Sequence, residues 1–205
     1  MDTEPQSLIN STCLDLLMNE IVPLAIRTTE EQSNPIDQPT NDESELIKKL
    51  DISPITAGGV EIFDSEYIQS EDVYYKVEQY GFSIGIRISE ILIYKNSNNE
   101  ILKNLELLNI MKFICRDVWK LIYGKQMDNL RTNHKGTFVL IDNSFKIFNN
   151  YDSPIDLNDT ILKSKPYLYI PTGIIRGVLK SFGVESIVTP EITKFPSVSF
   201  NIQTS

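Results

Sequence analysis

The stretch from Leu107 to Asp142, LLNIMKFICRDVWKLIYGKQMDNLRTNHKGTFVLID, changes its period halfway along. Before Gly124, the apolar residues Leu107, Leu108, Met111, Ile114, Cys115, Val118, Trp119 and Ile122 recur at three- and four-residue steps, while Lys112, Arg116, Asp117 and Lys120 lie off that stripe. Such spacing marks one buried face and predicts a helix from Leu102 to Tyr123. Beyond it, Met127–Thr132 and Thr137–Asp142 flank Asn133-His134-Lys135-Gly136, two extended runs around a turn that ends in glycine, which reads as a β-hairpin. A helix feeding an antiparallel hairpin sets the fold class, and the remaining segments are read against it.

Toward the N-terminus, Ser7 to Ile26 reads as an amphipathic helix, with Leu14, Leu17, Met18, Ile21 and Ala25 on one stripe and Leu8, Ile9, Leu16 and Val22 widening it. A helix apolar on more than one side needs more than one neighbour. Pro23 is expected to bend its last turn. The acidic, proline-containing segment TTEEQSNPIDQPTNDESE, residues 28–45, has too little apolar area to offset the entropy of ordering and is expected to be a disordered loop. A short helical piece at Leu46–Leu50 and an irregular stretch over residues 51–64 follow.

A second helix is predicted from Ser70 to Lys95, with Val73, Val77, Ile84, Ile88 and Ile91 as its apolar positions. Gly81 and Gly85 sit four apart in its middle. Each glycine costs about 1 kcal/mol in a helix interior, so the pair points to the close approach of another backbone, in the core or at an interface.

Toward the C-terminus, residues 149–160 read as a polar loop, Pro171–Phe182 as a helix stopped by Gly183, and Ser186–Val188 and Ser197–Gln203 as closing strands. The order is helix, helix, helix, hairpin, helix, strand pair. It predicts one α+β domain over residues 1–205, with a single antiparallel sheet covered on one face by helices.

Charge and composition exclude several functions. Of the net −9, residues 1–100 carry −13 and residues 101–205 carry +4. The acidic half argues against nucleic acid as a partner; the basic half could offer one face to an acidic protein or lipid surface. MDTEPQS has no apolar core of a signal peptide, and no apolar run reaches the length of a membrane span, so a reduced, cytosolic setting is expected. Cys13 and Cys115 are too few for a disulfide framework and read as small buried hydrophobes.

The inventory for catalysis is poor. His134 is the one histidine and falls in the hairpin turn, and no phosphate loop, nucleophile elbow or metal-ligand spacing occurs. No catalytic, cofactor or metal residue is assigned. Arg87, Arg116 and Arg176 stand in or beside apolar helical surface, where an unpaired charge is costly, so ion pairs with Glu90, Asp117 and Asp142 are expected.

Five segments together carry a resemblance. They are Asn19–Ala25 (NEIVPLA), Gly81–Glu90 (GFSIGIRISE), Lys112–Lys120 (KFICRDVWK), Gly124–Thr137 (GKQMDNLRTNHKGT) and Gly173–Gly177 (GIIRG). The chain resembles the TRAPP (transport protein particle) small-subunit superfamily, within it the branch of subunit 6, the 33 kDa subunit. The resemblance implies an α/β plait, helices stacked on a four-stranded antiparallel sheet. It implies a scaffold of a vesicle-tethering complex in ER–Golgi and Golgi traffic, one that activates a Rab/Ypt GTPase by nucleotide exchange without this subunit touching the nucleotide. It implies a heterodimer, through the first two helices, with the superfamily's acylated subunit, further contacts with other TRAPP subunits, and a cytoplasmic protein peripheral to Golgi membranes. The interface expected on this basis is Leu14, Leu17, Met18, Ile21, Gly81, Phe82 and Gly85, with a homodimer possible when the partner is absent. The acylated relative carries its lipid on a cysteine shortly before the third helix, whereas this chain has none between Cys13 and Cys115. No bound acyl chain is therefore expected. The alternative reading is a small hydrophobic-ligand, acyl-binding module, which would need an open apolar cavity.

Overall fold

The computed structural model describes residues 10–33, 65–95, 106–133, 136–150, 153 and 155–204. The chain divides into two compact units, residues 1–73 and 74–205. The expected helical piece at 46–50, the irregular 51–64 and the hairpin-turn His134 lie outside the described residues.

In the first unit, α1 spans Ser11–Ser33. The Asn10 side chain caps it, accepting from Thr12 N–H at 3.0 Å. The helix does not end near Ile26. It runs through Pro23, and residues 28–33 of the expected loop are its last turns, while 34–45 lie outside the described residues. Thr28 and Thr29 both turn their hydroxyls back to the Ala25 carbonyl, at 3.1 and 2.7 Å, and so carry polar sequence as helix. A short 3-10 turn, Glu66–Gln69, follows; Ser65 caps it and hydrogen-bonds to Glu30 near the end of α1.

α2, Glu71–Lys95, starts in the last three residues of that unit and otherwise belongs to the second. The third helix, α3, is built of three pieces: Leu107–Phe113, a wide π turn Ile114–Val118, and Trp119–Tyr123. In the π turn Trp119 N–H reaches back five residues to the Ile114 carbonyl, and the Cys115 carbonyl accepts from Met127 N–H at 3.0 Å, tying the helix to the chain that enters the sheet. Gly124, at φ +78°, ends α3 in the left-handed conformation glycine adopts without strain.

The sheet has four antiparallel strands in the order β1-β2-β4-β3: β1 Asn129–Thr132, β2 Thr137–Asp142, β3 Ser186–Lys194 and β4 Ser197–Thr204. The predicted hairpin is β1-β2. β3 runs six residues past Val188, because an edge strand tolerates Pro190, which has no N–H to donate. Register aligns the inner face in rows: Thr132, Phe138, Ile202 and Val188, then Leu130, Leu140, Phe200 and Pro190. Phe138, Leu140, Phe200 and Ile202 are buried.

Between the strand pairs lie a 3-10 turn Lys146–Asn150, α4 Leu157–Ser164, a 3-10 turn Lys165–Leu168, and α5 Tyr169–Ser181. The polar loop read at 149–160 is corrected here. Asp156 caps α4 by accepting from Asp159 N–H at 2.7 Å, a signal that polar composition concealed. Gly183, at φ +77°, stops α5, with Val184 N–H bonding to the Leu179 carbonyl at 3.0 Å.

Trp119 anchors the core of the second unit. Its ring lies 4.4 Å from Tyr123 and 5.6 Å from Phe200 between centroids. Its indole N–H donates to the fully buried Asp142 at 2.9 Å, and Lys125 supplies the countercharge. Asp142 is thus the buried end of a Trp–Asp–Lys node and not the partner of an arginine.

Candidate protein-interaction surfaces

The glycines of α2 meet the glycines of α5. A Cβ placed on Gly81 would lie 2.2 Å from the Ile170 carbonyl oxygen, and one on Gly85 would lie 2.3 Å from that of Ile174. The relation is reciprocal, since a Cβ on Gly173 would meet the Glu78 oxygen at 2.0 Å and one on Gly177 the Phe82 oxygen at 2.3 Å. Four missing side chains let two helix backbones touch. Along the same contact Arg176 bonds Glu78 at 2.6 Å and stacks its guanidinium over Phe82, 5.1 Å from the ring centroid. Tyr74 stacks on Tyr169 at 4.3 Å, and Ser89 donates to Ser181 at 2.7 Å. Burial pushes the Glu78 carboxyl above its usual range, and the Arg176 charge opposes that shift.

The close backbone approach foreseen for Gly81 and Gly85 is therefore made by the chain's own α5. These two glycines are buried there, and they have no free surface to offer a partner. Phe82 is half-buried and engaged with Arg176. The expected arginine pairs form for Arg87 with Glu90 at 3.5 Å and Arg116 with Asp117 at 2.9 Å, both on the surface. Arg176 takes Glu78, which the sequence reading did not name.

α1 is arranged differently. Met18, Ile21, Val22, Ala25, Ile26 and Thr29 are buried, at three- and four-residue steps along one side. Around the rest of the helix, Leu16, Leu17 and Leu24 are 64%, 58% and 43% exposed, near the Glu20–Arg27 ion pair. Of the four α1 residues expected to meet a partner, Leu17 is open, Leu14 is half-buried, and Met18 and Ile21 are already buried in this chain. Leu24 was missed. It falls seven residues after Leu17, and that two-turn spacing is the signal that could have found it. Separately, α2 exposes Tyr75, Tyr80, Ile91 and Tyr94.

The cysteines differ from each other too. Cys13 is exposed, which corrects its reading as a buried hydrophobe, whereas Cys115 is half-buried and its thiol is pushed up to about 12 by burial. Among the described residues there is no cluster of three or more side chains able to hold a metal ion, and no helix long and apolar enough to cross a membrane.

Comparison with known proteins places this arrangement. Residues 14–205 match the family described as "Transport protein particle (TRAPP) component". The chain is 35% identical over 127 residues to human "Trafficking protein particle complex subunit 6B", covering 62% of this chain and 75% of that protein. It is 37% identical over 127 residues to human "Trafficking protein particle complex subunit 6A", covering 62% and 74%. An uncharacterized protein of Schizosaccharomyces pombe is 31% identical over 135 residues, covering 66% of this chain and 51% of that one. Among solved structures, a trafficking protein particle complex subunit 3 from Naegleria fowleri, covalently bound to palmitic acid, superposes with a TM-score of 0.58 over 96% of this chain and 97% of that one, at 14% identity. That likeness is one of fold. From the match over residues 14–205, the chain belongs to the TRAPP component family.

Proposed function

We propose that the chain is a non-catalytic scaffold subunit of a TRAPP vesicle-tethering complex and that it joins a neighbouring subunit through the exposed face of α1. One observation carries the reading: a helix with one side fully buried keeps Leu16, Leu17 and Leu24 in solvent. Burying a leucine yields about 1.5–3 kcal/mol, so three open leucines on one helix are a surface that association would stabilise. The exposed aromatic residues of α2 offer a second helical contact of the same kind.

The partner in this reading is the lipid-bearing sister subunit, with other TRAPP subunits beyond it. The subunit itself performs no chemistry. It supports an assembly that promotes nucleotide exchange on a Rab/Ypt GTPase in ER–Golgi traffic, held peripherally at Golgi membranes. Without its partner the same face would draw two copies together.

Co-expression with the sister subunit, followed by size-exclusion light scattering, tests this. The expected result is a 1:1 complex that Leu17→Glu plus Leu24→Glu abolishes while circular dichroism is unchanged. A well-behaved monomer that forms no complex would remove the reading.

A further inference from the structure

α3 carries a second exposed stripe. Lys112, Arg116 and Lys120 follow one another at four-residue steps, Leu108 stands one step before them, and Leu121, 52% exposed, lies beside Lys120 about a quarter turn round the helix. The opposite side of the helix, with Met111, Ile114, Val118, Trp119 and Ile122, is buried, so the stripe is what α3 shows to solvent. Arg116 is held by Asp117, and neither Lys112 nor Lys120 is ion-paired among the described residues. The nearest other acid on the helix is Glu106, exposed at its N-cap.

We propose that this stripe is a second docking surface, which takes an acidic helix of another protein, with leucine side chains reaching Leu108 and Leu121. Charge sets the sign of the occupant: three bases stand on one helical face, with Asp117 the one acid paired to them. Size sets its class. Three bases fall short of the roughly four to eight that hold a basic segment to an anionic bilayer. A narrow basic face with a leucine in line with it and another beside it matches a narrow amphipathic occupant instead. The proposal does not depend on α1, since its residues are separate from the α1 leucines.

The test uses the full chain and a fluorescent synthetic helix of alanine, glutamate and leucine. The peptide places glutamates at four-residue steps between two leucines. A matched peptide carries glutamine for glutamate, and phosphatidylserine vesicles form a third arm. The expected result is binding of the acidic peptide alone, weaker as salt rises, and about tenfold weaker for Lys112→Glu plus Lys120→Glu. Lys112→Gln plus Lys120→Gln, which keeps the helix and removes only charge, should lie between the two. Failure of the acidic peptide to bind would overturn the proposal. So would equal binding by wild type and the charge-reversed chain, or by both peptides. Binding of the vesicles and not the peptide would assign the stripe to a lipid surface instead.

Discussion

The contact of α2 with α5 and the open face of α1 start from the same kind of sequence and end differently. Both α1 and α2 carry more apolar or small residues than a single neighbour requires. In α2 the surplus is absorbed within the chain: four glycines interlock with backbone oxygens, and Arg176, Glu78 and Phe82 complete the seam. In α1 part of the surplus stays in solvent as Leu16, Leu17 and Leu24. The comparison teaches that small residues and large ones signal different things. A glycine pair demands a backbone at close range, and the chain's own helix can supply it with atomic fit. A leucine stripe demands only apolar area, and a second protein can provide that.

This contrast can be broken from either side. The largest effect is expected at the seam. Gly85→Ala would gain about 1 kcal/mol of helix propensity, but its Cβ would sit 2.3 Å from a backbone oxygen that no rotamer can move. Overpacking of this kind costs about 3 kcal/mol, so urea unfolding should show a net loss of about 2 kcal/mol. Arg176→Ala comes next. It leaves the half-buried Glu78 carboxylate without its cation and Phe82 without its lid, for a loss of about 1 kcal/mol in the same measurement.

On the α1 side the stability effect should be much smaller. Leu17→Glu plus Leu24→Glu exchanges one good helix former for another at exposed positions, and the unfolding free energy should stay within about 0.5 kcal/mol while assembly is lost. A large loss of stability would mean that these leucines belong to the fold.

The smallest effect sharpens the seam. The Glu78 pKa is raised by burial in the folded state, so the neutral form favours folding. That contribution is fully present below the unfolded carboxylate value and is lost as pH rises through the raised folded one. Relative to Glu78→Gln, the wild-type chain should therefore gain stability as pH is lowered from 7 through the mid-acid range. A difference that does not change with pH would contradict the assigned cause.

Much of the fold was legible because its signals are local. The period of α3, the Gly183 stop and the β1-β2 hairpin each depend on residues a few positions apart. What escaped depended on capping or on distance. α4 hides in polar sequence whose helix begins with the Asp156 cap, and the last turns of α1 hide in threonines that bond back to Ala25. The Arg176–Glu78 pair joins residues 98 positions apart, and the Trp119–Asp142–Lys125 node depends on how α3 meets β2. No spacing rule reaches either. The proposed docking face was legible only as an excess: the sequence showed that α1 was too apolar, while the division into buried Met18 and Ile21 and open Leu17 and Leu24 came from the three-dimensional arrangement.

Cys13 lies exposed on α1, one turn before Leu16 and Leu17, and offers a direct test of whether that face is the pairing surface. The measurement is the rate of Cys13 alkylation at pH 8, in the chain alone and in the complex with its sister subunit, read by mass spectrometry. Cys115, its thiol pushed up to about 12, serves as the unreactive internal control. The account predicts rapid labelling of Cys13 in the free chain and labelling at least about tenfold slower in the complex, in keeping with a burial free energy above about 1.4 kcal/mol. Equal Cys13 rates in the free and bound chain would contradict it.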